Sequence, residues 1–216
     1  MGGERDEGWK KNSGIPDNKQ INIWSGSYNV NVGSTDSEGY SNKSNYYSRG
    51  HQIADADRSG ITEMQEQTYL ATNSTPQIQN GFNGGIWSSL EVAVRTVASA
   101  TDTVYVVTGP TYQTVGGSEE VIKILPKHDT KQCPVPNYYW KVLLKVKRNG
   151  QKEITSASAI GFWLEHKVYQ SDTYTNYVKS VDEIERLTGF DFFVNLPDNI
   201  ETTAEANTSW NAFSSF

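Results

Sequence analysis

Alternating apolar and polar positions along the chain predict several β-strands. The longest predicted strands are residues 138–148 (YYWKVLLKVKR) and residues 158–166 (SAIGFWLEH). Residues 102–110 (DTVYVVTGP) predict a buried strand that ends at a Gly-Pro pair. The shorter segments that we also predict as strands are residues 22–33, 46–53 and 67–73.

Helical spacing appears in two segments. Between about Gly85 and Ala100, apolar residues recur every three or four positions, which predicts a helix with one buried face. Residues 180–193 (SVDEIERLTGFDFF) begin with a serine cap and predict a helix that ends near Gly189. Residues 34–45 and 74–85 are rich in turn-forming residues and predict loops. Because strands and helices do not alternate regularly, we expect an α+β protein with a mainly antiparallel sheet.

Composition refines this expectation. The chain has 216 residues, which suits one domain, and we expect residues 1–20 to be a flexible lead-in and residues 21–216 a single domain. Its formal net charge of -6 argues against a passive, high-affinity DNA-binding module. An enzyme that holds one phosphate with a metal ion and a few arginines stays compatible with that charge. The single cysteine, Cys133, excludes an intrachain disulfide, and no segment approaches the length of a transmembrane helix.

Residues 49–66 (RGHQIADADRSGITEMQE) allow two interpretations. Five of them, Asp55, Asp57, Ser59, Gly60 and Glu66, fill positions 1, 3, 5, 6 and 12 of an EF-hand calcium loop. The residues before this loop are poor helix formers, and no second loop is present to pair with it. A solvated acidic turn is the simpler explanation of these carboxylates.

The other interpretation is a nuclease site. Phosphodiester hydrolysis needs a base for water, and His51 with its neighbour Arg49 offers a histidine base beside a phosphate-binding cation. Downstream lie Asn83, Glu91 and Arg95. If helical geometry begins near Asn83, steps of eight and twelve residues turn the side chain by about 80° and 120°, so the three would share one broad face.

These residues stand in two longer motifs. The first is Ser48-Arg49-Gly50-His51-Gln52-Ile53-Ala54-Asp55-Ala56-Asp57. The second combines Asn73-Ser74-Thr75-Pro76-Gln77 with Asn83-Gly84-Gly85-Ile86-Trp87-Ser88-Ser89-Leu90-Glu91. Together they resemble the DNA/RNA non-specific endonuclease family, the ββα-metal nucleases that include endonuclease G. The resemblance covers roughly residues 45–197 and implies a mainly antiparallel central sheet flanked by helices.

The resemblance also implies a role for each site residue. His51 would be the general base that activates water, and Asn83 would be the direct protein ligand of a magnesium or manganese ion. Glu91 would hold a metal-bound water. Arg49 and Arg95 would contact the phosphate, and DNA and RNA would both be substrates, cleaved to leave 5′-phosphates. Asn73 would brace the loop near the base or contact the substrate.

Two departures from the family pattern bear on activity. Ser48 replaces the usual aspartate before Arg49, which removes a charge but keeps a hydrogen-bonding group. Only about fifty residues precede His51, so a further phosphate-contacting arginine has no clear counterpart; Arg5 falls in the expected lead-in. A catalytically impaired nucleic-acid-binding protein on the same fold is therefore the alternative.

Other expectations concern partners and location. The six tryptophans also suggest a glycan-binding module, but several of them fall on predicted core faces. A non-specific nuclease endangers its own cell, so we expect an exported protein, secreted or periplasmic, whose signal peptide is absent from this chain. The oligomeric state is left open by the sequence, a homodimer included.

Overall fold

The computed structural model of the protein describes residues 8–100 and 103–216. The chain divides into two compact units. The first comprises residues 1–88, 120–136 and 166–172, and the second comprises residues 89–119, 137–165 and 173–216. Within the described residues, no helix is long and apolar enough to cross a membrane.

The secondary structure mixes short helices with antiparallel strands, which confirms the predicted α+β class. In chain order, the strands are β1 Tyr47–His51, β2 Ser74–Ile78, β3 Tyr105–Thr111, β4 Lys123–Ile124, β5 Cys133–Pro134, β6 Tyr138–Arg148, β7 Ile154–Glu165 and β8 Val178–Lys179. The α-helices are α1 Thr62–Thr68, α2 Ser88–Ser99, α3 Val181–Thr188, α4 Asp198–Glu205 and α5 Trp210–Ser215.

In the first unit, β1 and β2 pair antiparallel, with Gly50 opposite Thr75 and His51 opposite Ser74. A 3₁₀ turn at Asp55–Asp57 and helix α1 fill the connection between the two strands. The short strands β4 and β5 form a second antiparallel pair. A π-type turn, Gln79–Trp87, follows β2 and leads into α2. The β1–β2 pair is the element that positions the predicted base.

In the second unit, one antiparallel sheet has the strand order β3-β6-β7-β8. The core of this unit includes Trp140 and Val142 of β6 and Ile184 of α3. Strand β6 is buried along most of its length because most of its residues are apolar. Helix α3 begins as predicted, since the Ser180 hydroxyl accepts from the Glu183 backbone N–H at 3.1 Å. It ends at Gly189, whose φ of 75° is in the left-handed region that favours glycine.

Three local predictions are wrong. Residues 22–33 form no strand, because Asn29 and Gly33 have positive φ values of 54° and 89° that break an extended path; an isolated bridge joins Asn31 to Tyr46. Residues 67–73 complete α1 and a 3₁₀ turn. Residues 74–85, predicted as a loop, contain β2. A proline in β2 masked the strand pattern, although an edge strand tolerates proline.

Two further predictions need adjustment. The strand predicted from residue 102 begins at Tyr105, and its first three residues are exposed, so it is not buried along its length; Asp102 lies outside the described residues. Residues 1–7 of the expected lead-in also lie outside them. Residues 9–20 are not a loose lead-in, because Trp9 and Gln20 are buried and Lys10 pairs with Leu70.

The EF-hand interpretation is excluded by the secondary structure. An EF-hand loop lies between two helices. Here a strand, β1, precedes the loop, and α1 already begins at Thr62, within the twelve candidate residues. Glu66, which would close the calcium loop, forms an ion pair with Lys10 at 3.2 Å.

Candidate active site

Strand β1 carries the predicted base and its neighbouring arginine. Arg49 and His51 are two residues apart on a strand, so their side chains lie on the same face. Trp9 contacts both: its ring centroid lies 4.8 Å from that of His51 and 5.3 Å from the guanidinium carbon of Arg49. Arg49 Nη1 also donates a hydrogen bond to the Ile23 carbonyl at 3.1 Å. These contacts hold the cation beside the imidazole.

The surroundings of His51 keep its ring neutral. Burial, which penalises the charged form, lowers the pKa of His51 to about 4; nearby Asp55 opposes this shift and Arg49 adds to it. Nε2 of the ring is enclosed and has no hydrogen-bond partner among the described residues. A neutral imidazole is the form in which histidine accepts a proton.

Asn83 is fixed in the turn that follows β2. Its amide nitrogen donates to Ser48 Oγ at 3.0 Å and to Gln79 Oε1 at 3.2 Å. Ser48 in turn donates to the Gln77 carbonyl at 3.0 Å. These two contacts engage both amide hydrogens and orient the amide, and Oδ1 takes part in neither of them. The serine that replaces an aspartate thus retains the positioning contact that we expected of it.

Asn73 braces the chain directly after the base. Its amide donates to the backbone carbonyls of Ile53 and Thr68, each at 2.9 Å, and accepts from the Ile53 N–H at 3.0 Å. Both amide hydrogens are therefore engaged with the backbone. These contacts favour the bracing role of Asn73 over the substrate contact that we also considered.

Glu91 and Arg95 lie four residues apart on α2, in the second unit, so their side chains share one helix face. The prediction that Asn83 shares this helix face depended on continuous helical geometry from Asn83 onward, which the structure does not have. Helical geometry is interrupted between Asn83 and α2, because Gly85 has φ -126° and ψ -115°. The structure therefore brings Asn83 next to Ser48 and places Glu91 and Arg95 together on a separate element.

Comparison with known proteins now identifies the family. Residues 1–199 match the model of the DNA/RNA non-specific endonuclease family. The chain belongs to this family.

Several relatives are similar over most of the chain. The "Nuclease" of Nostoc sp. (strain PCC 7120 / SAG 25.82 / UTEX 2576) is 34% identical over 163 residues, covering 74% of this chain and 55% of the relative. The "Nuclease" of Serratia marcescens is 30% identical over 160 residues, covering 73% of this chain and 55% of the relative. The chain thus spans about half the length of the curated relatives that it matches.

A solved structure supports the same fold. The crystal structure of the EndoG/EndoGI complex superposes with a TM-score of 0.60 over 90% of this chain and 77% of that chain, at 22% identity. The ββα-metal nuclease fold predicted from the motifs is confirmed.

The endonuclease family is metal-dependent. Asn83 is the residue that the motif predicts to hold the ion. A magnesium-type ion takes oxygen donors and keeps several of its waters, so one oriented amide oxygen is a suitable protein ligand. Asn83 offers such an oxygen, because Ser48 and Gln79 engage only the nitrogen of its amide. When bound, the ion would stabilise the oxygen that leaves phosphorus.

Sequence patterns missed two residues of this site. Trp9 lies in a segment without periodicity, and nothing local indicates that its ring covers His51 and Arg49. Gln79 falls in a segment that we predicted as a loop, yet it helps to orient Asn83. His166, one of the other histidines, has a structural role: its Nε2 accepts from the Ile78 N–H at 2.9 Å, and burial lowers its pKa to about 4.

Proposed function

We propose that the protein is a metal-dependent endonuclease that hydrolyses DNA and RNA with little sequence preference. The observation that carries this proposal is the family match over residues 1–199, which includes the Arg49-Gly50-His51 motif on β1. Such an enzyme reads the sugar-phosphate backbone, so it needs no element that recognises bases.

His51 accepts the proton of the attacking water. Its lowered pKa supports this role, because the ring is neutral at pH 7 and can take up a proton as the water oxygen attacks phosphorus. Asp55, whose charge favours the protonated ring, stabilises the imidazolium that forms.

Arg49 and Arg95 bind the non-bridging phosphate oxygens. For Arg49, the contacts with Trp9 and the Ile23 carbonyl hold the guanidinium beside His51, which places its positive charge near the base, where a phosphate would bind. Asn83 would hold a magnesium or manganese ion through Oδ1, and Glu91 would hold a water of that ion. Hydrolysis breaks the bond between phosphorus and the 3′ oxygen. One product then ends in a 3′-hydroxyl and the other begins with a 5′-phosphate.

Plasmid and RNA cleavage tests the proposal. Purified full-length chain is incubated with supercoiled plasmid and with RNA, in magnesium or in EDTA. We expect magnesium-dependent degradation of both, and DNA fragments that a ligase rejoins without prior kinase treatment. His51→Ala should lower the cleavage rate by at least about 10²-fold, the usual contribution of a general base, and Asn83→Ala should raise the magnesium concentration needed for half-maximal rate.

His128→Ala is the matched control, because His128 is an exposed histidine outside this site; this variant should cleave like the unmodified protein. Plasmid that stays intact at high protein concentration while still being bound would instead support an impaired nucleic-acid-binding protein. Unchanged cleavage by His51→Ala would overturn the assignment of the base.

A further inference from the structure

A group of carboxylates in the second unit is not part of the endonuclease site proposed above. Asp182 and Glu185 lie on α3, and Glu205 is the last residue of α4. One carboxylate oxygen from each of the three lies within 4.8 Å of the other two. Residues on two separate helices therefore converge on one point.

Glu205 is an unusual member of this group because it is buried. The residue is only 5% exposed, and its Oε1 has no hydrogen-bond partner among the described residues. One helical turn earlier, Glu201 also has an enclosed Oε1 without a partner among those residues. A buried carboxylate oxygen without a donor is costly, since it has lost its hydration without compensation. Two such oxygens near other carboxylates would both be stabilised by a bound cation.

The charges around Glu205 support this conclusion. Its charged neighbours Asp182, Glu185, Glu201 and Asp191 are all carboxylates. A divalent cation would neutralise the negative charge that these carboxylates place around a buried side chain.

We propose that Asp182, Glu185 and Glu205 bind a single calcium ion that fastens α3 to α4. All the donors are carboxylate oxygens, which excludes the nitrogen and sulfur ligands typical of zinc sites. Calcium binds oxygens at about 2.3–2.6 Å in flexible geometry, so oxygens on opposite sides of the ion lie up to about 5 Å apart, which accommodates the spacing seen here. Magnesium demands a tighter octahedron, with opposite oxygens about 4.2 Å apart.

This calcium ion has a structural role. Both α3 and α4 pack against β7, one of the two central strands of the sheet in the second unit. An ion shared by the two helices joins residues that are distant in sequence and stabilises the folded state by mass action. It is separate from the magnesium-type ion proposed at Asn83, and it takes no part in phosphodiester cleavage.

Calorimetry and thermal unfolding of the metal-free, full-length chain test this proposal. After chelator treatment, we expect titration with calcium chloride to show one site per chain. Calcium at a hundredfold excess over its Kd should raise Tm by roughly 5–10 °C. Absence of both binding and a Tm shift at millimolar calcium would overturn the proposal.

Matched variants locate the ion. Glu205→Gln keeps the shape of the side chain but removes a charged ligand, so it should abolish the calcium-dependent Tm shift. Glu63→Gln makes the same chemical change at an exposed position of α1 and should keep the shift. If Glu205→Gln does not fold, Asp182→Asn, at an exposed position, should weaken calcium binding at least tenfold.

The Asn83→Ala variant separates this site from the endonuclease site. It should retain the full calcium-dependent Tm shift, because Asn83 belongs to the other metal site. A shift retained in Glu205→Gln, or lost in Asn83→Ala, would show that calcium binds elsewhere.

Discussion

The imidazole of His51 is neutral over most of the pH range in which proteins are stable, because burial disfavours its charged form. Its pKa of about 4 compares with an ordinary value of 6.5. A general base works only when deprotonated, so the acid limb of kcat/KM should have its midpoint near pH 4. The measurement is plasmid cleavage at fixed magnesium and ionic strength between pH 3.5 and 8. A midpoint near 6.5 would contradict the lowered pKa.

The stability of the fold has to be followed over the same pH range. His51 and His166 both have folded-state pKa values of about 4, below the unfolded value of 6.5. The unfolded chain therefore binds more protons between pH 6.5 and pH 4, and the contribution of both histidines to stability is lost as the pH falls through that window. Tm at each pH shows whether lost activity reflects the base or unfolding.

Ser48 shows how a side chain without charge can orient Asn83, the residue that we propose as the metal ligand. Its hydroxyl accepts from the Asn83 amide, whose other hydrogen goes to Gln79. Loss of a contact that orients a metal ligand typically costs about 10–100-fold in metal affinity or activity. Ser48→Ala should therefore raise the magnesium concentration for half-maximal cleavage by about tenfold or more.

A second substitution at position 48 distinguishes a role of Ser48 in positioning Asn83 from a role in the stability of the fold. Ser48→Asp restores an acceptor for the Asn83 amide, and it should return the magnesium requirement to within about threefold of the unmodified protein. Equal magnesium requirements for Ser48→Ala and the unmodified protein would show that Ser48 does not position Asn83. Tm of each variant serves as the control for folding.

At the scale of elements, the β1–β2 pair depends on the absence of a side chain at Gly50. A Cβ at position 50 would overlap the Gln77 side chain, which is fully buried and has little room to move. Overpacking of this kind costs about 1–3 kcal/mol. We therefore expect Gly50→Ala to lower Tm by roughly 2–12 °C, as measured by thermal unfolding.

Gly60→Ala is the comparison for that substitution. Gly60 lies in the connection between β1 and β2, has no heavy atom within 4 Å of the position of an added Cβ, and does not have a positive φ. This variant should unfold within about 2 °C of the unmodified protein. Similar losses in both alanine variants would mean that glycine flexibility, rather than the overlap with Gln77, limits stability.

Element prediction from sequence succeeded where the local pattern and the tertiary environment agree. Strands β6 and β7 are long apolar runs in the centre of a sheet, and α3 has a Ser180 cap and a terminal Gly189. It failed at α1, α4 and α5. The chain there carries few apolar positions in each turn, so packing against other elements, and not periodicity, stabilises these short helices.

At the scale of the whole molecule, the net charge of -6 opposes the proposed binding of nucleic acid, so local arginines would have to supply the attraction. Each phosphate contact contributes about 0.7–0.9 to the slope of log affinity against log salt. Arg95→Ala should therefore reduce the salt dependence of kcat/KM by nearly one unit, measured between 50 and 200 mM sodium chloride.

Arg148→Ala provides the control, since it removes the same charge. Arg148 ends β6, where its side chain donates to the Lys152 carbonyl of the adjoining turn. That variant should keep the salt slope of the unmodified protein. If both variants reduce the slope equally, the effect comes from total charge and not from a phosphate contact by Arg95.

The sequence by itself determined the family and predicted Arg49, His51 and Asn83 as residues of the candidate site, because the Arg49-Gly50-His51 and Asn83 motifs are contiguous stretches of chain. Only the tertiary structure decided their surroundings: Trp9 beside His51, Ser48 hydrogen-bonded to Asn83, and Glu205 buried near Asp182 and Glu185. Each of these contacts joins residues at least twenty positions apart. A local sequence pattern shows which side of a strand or helix is apolar. Contacts between residues far apart in sequence depend instead on how the elements pack against each other, and no single segment determines that packing.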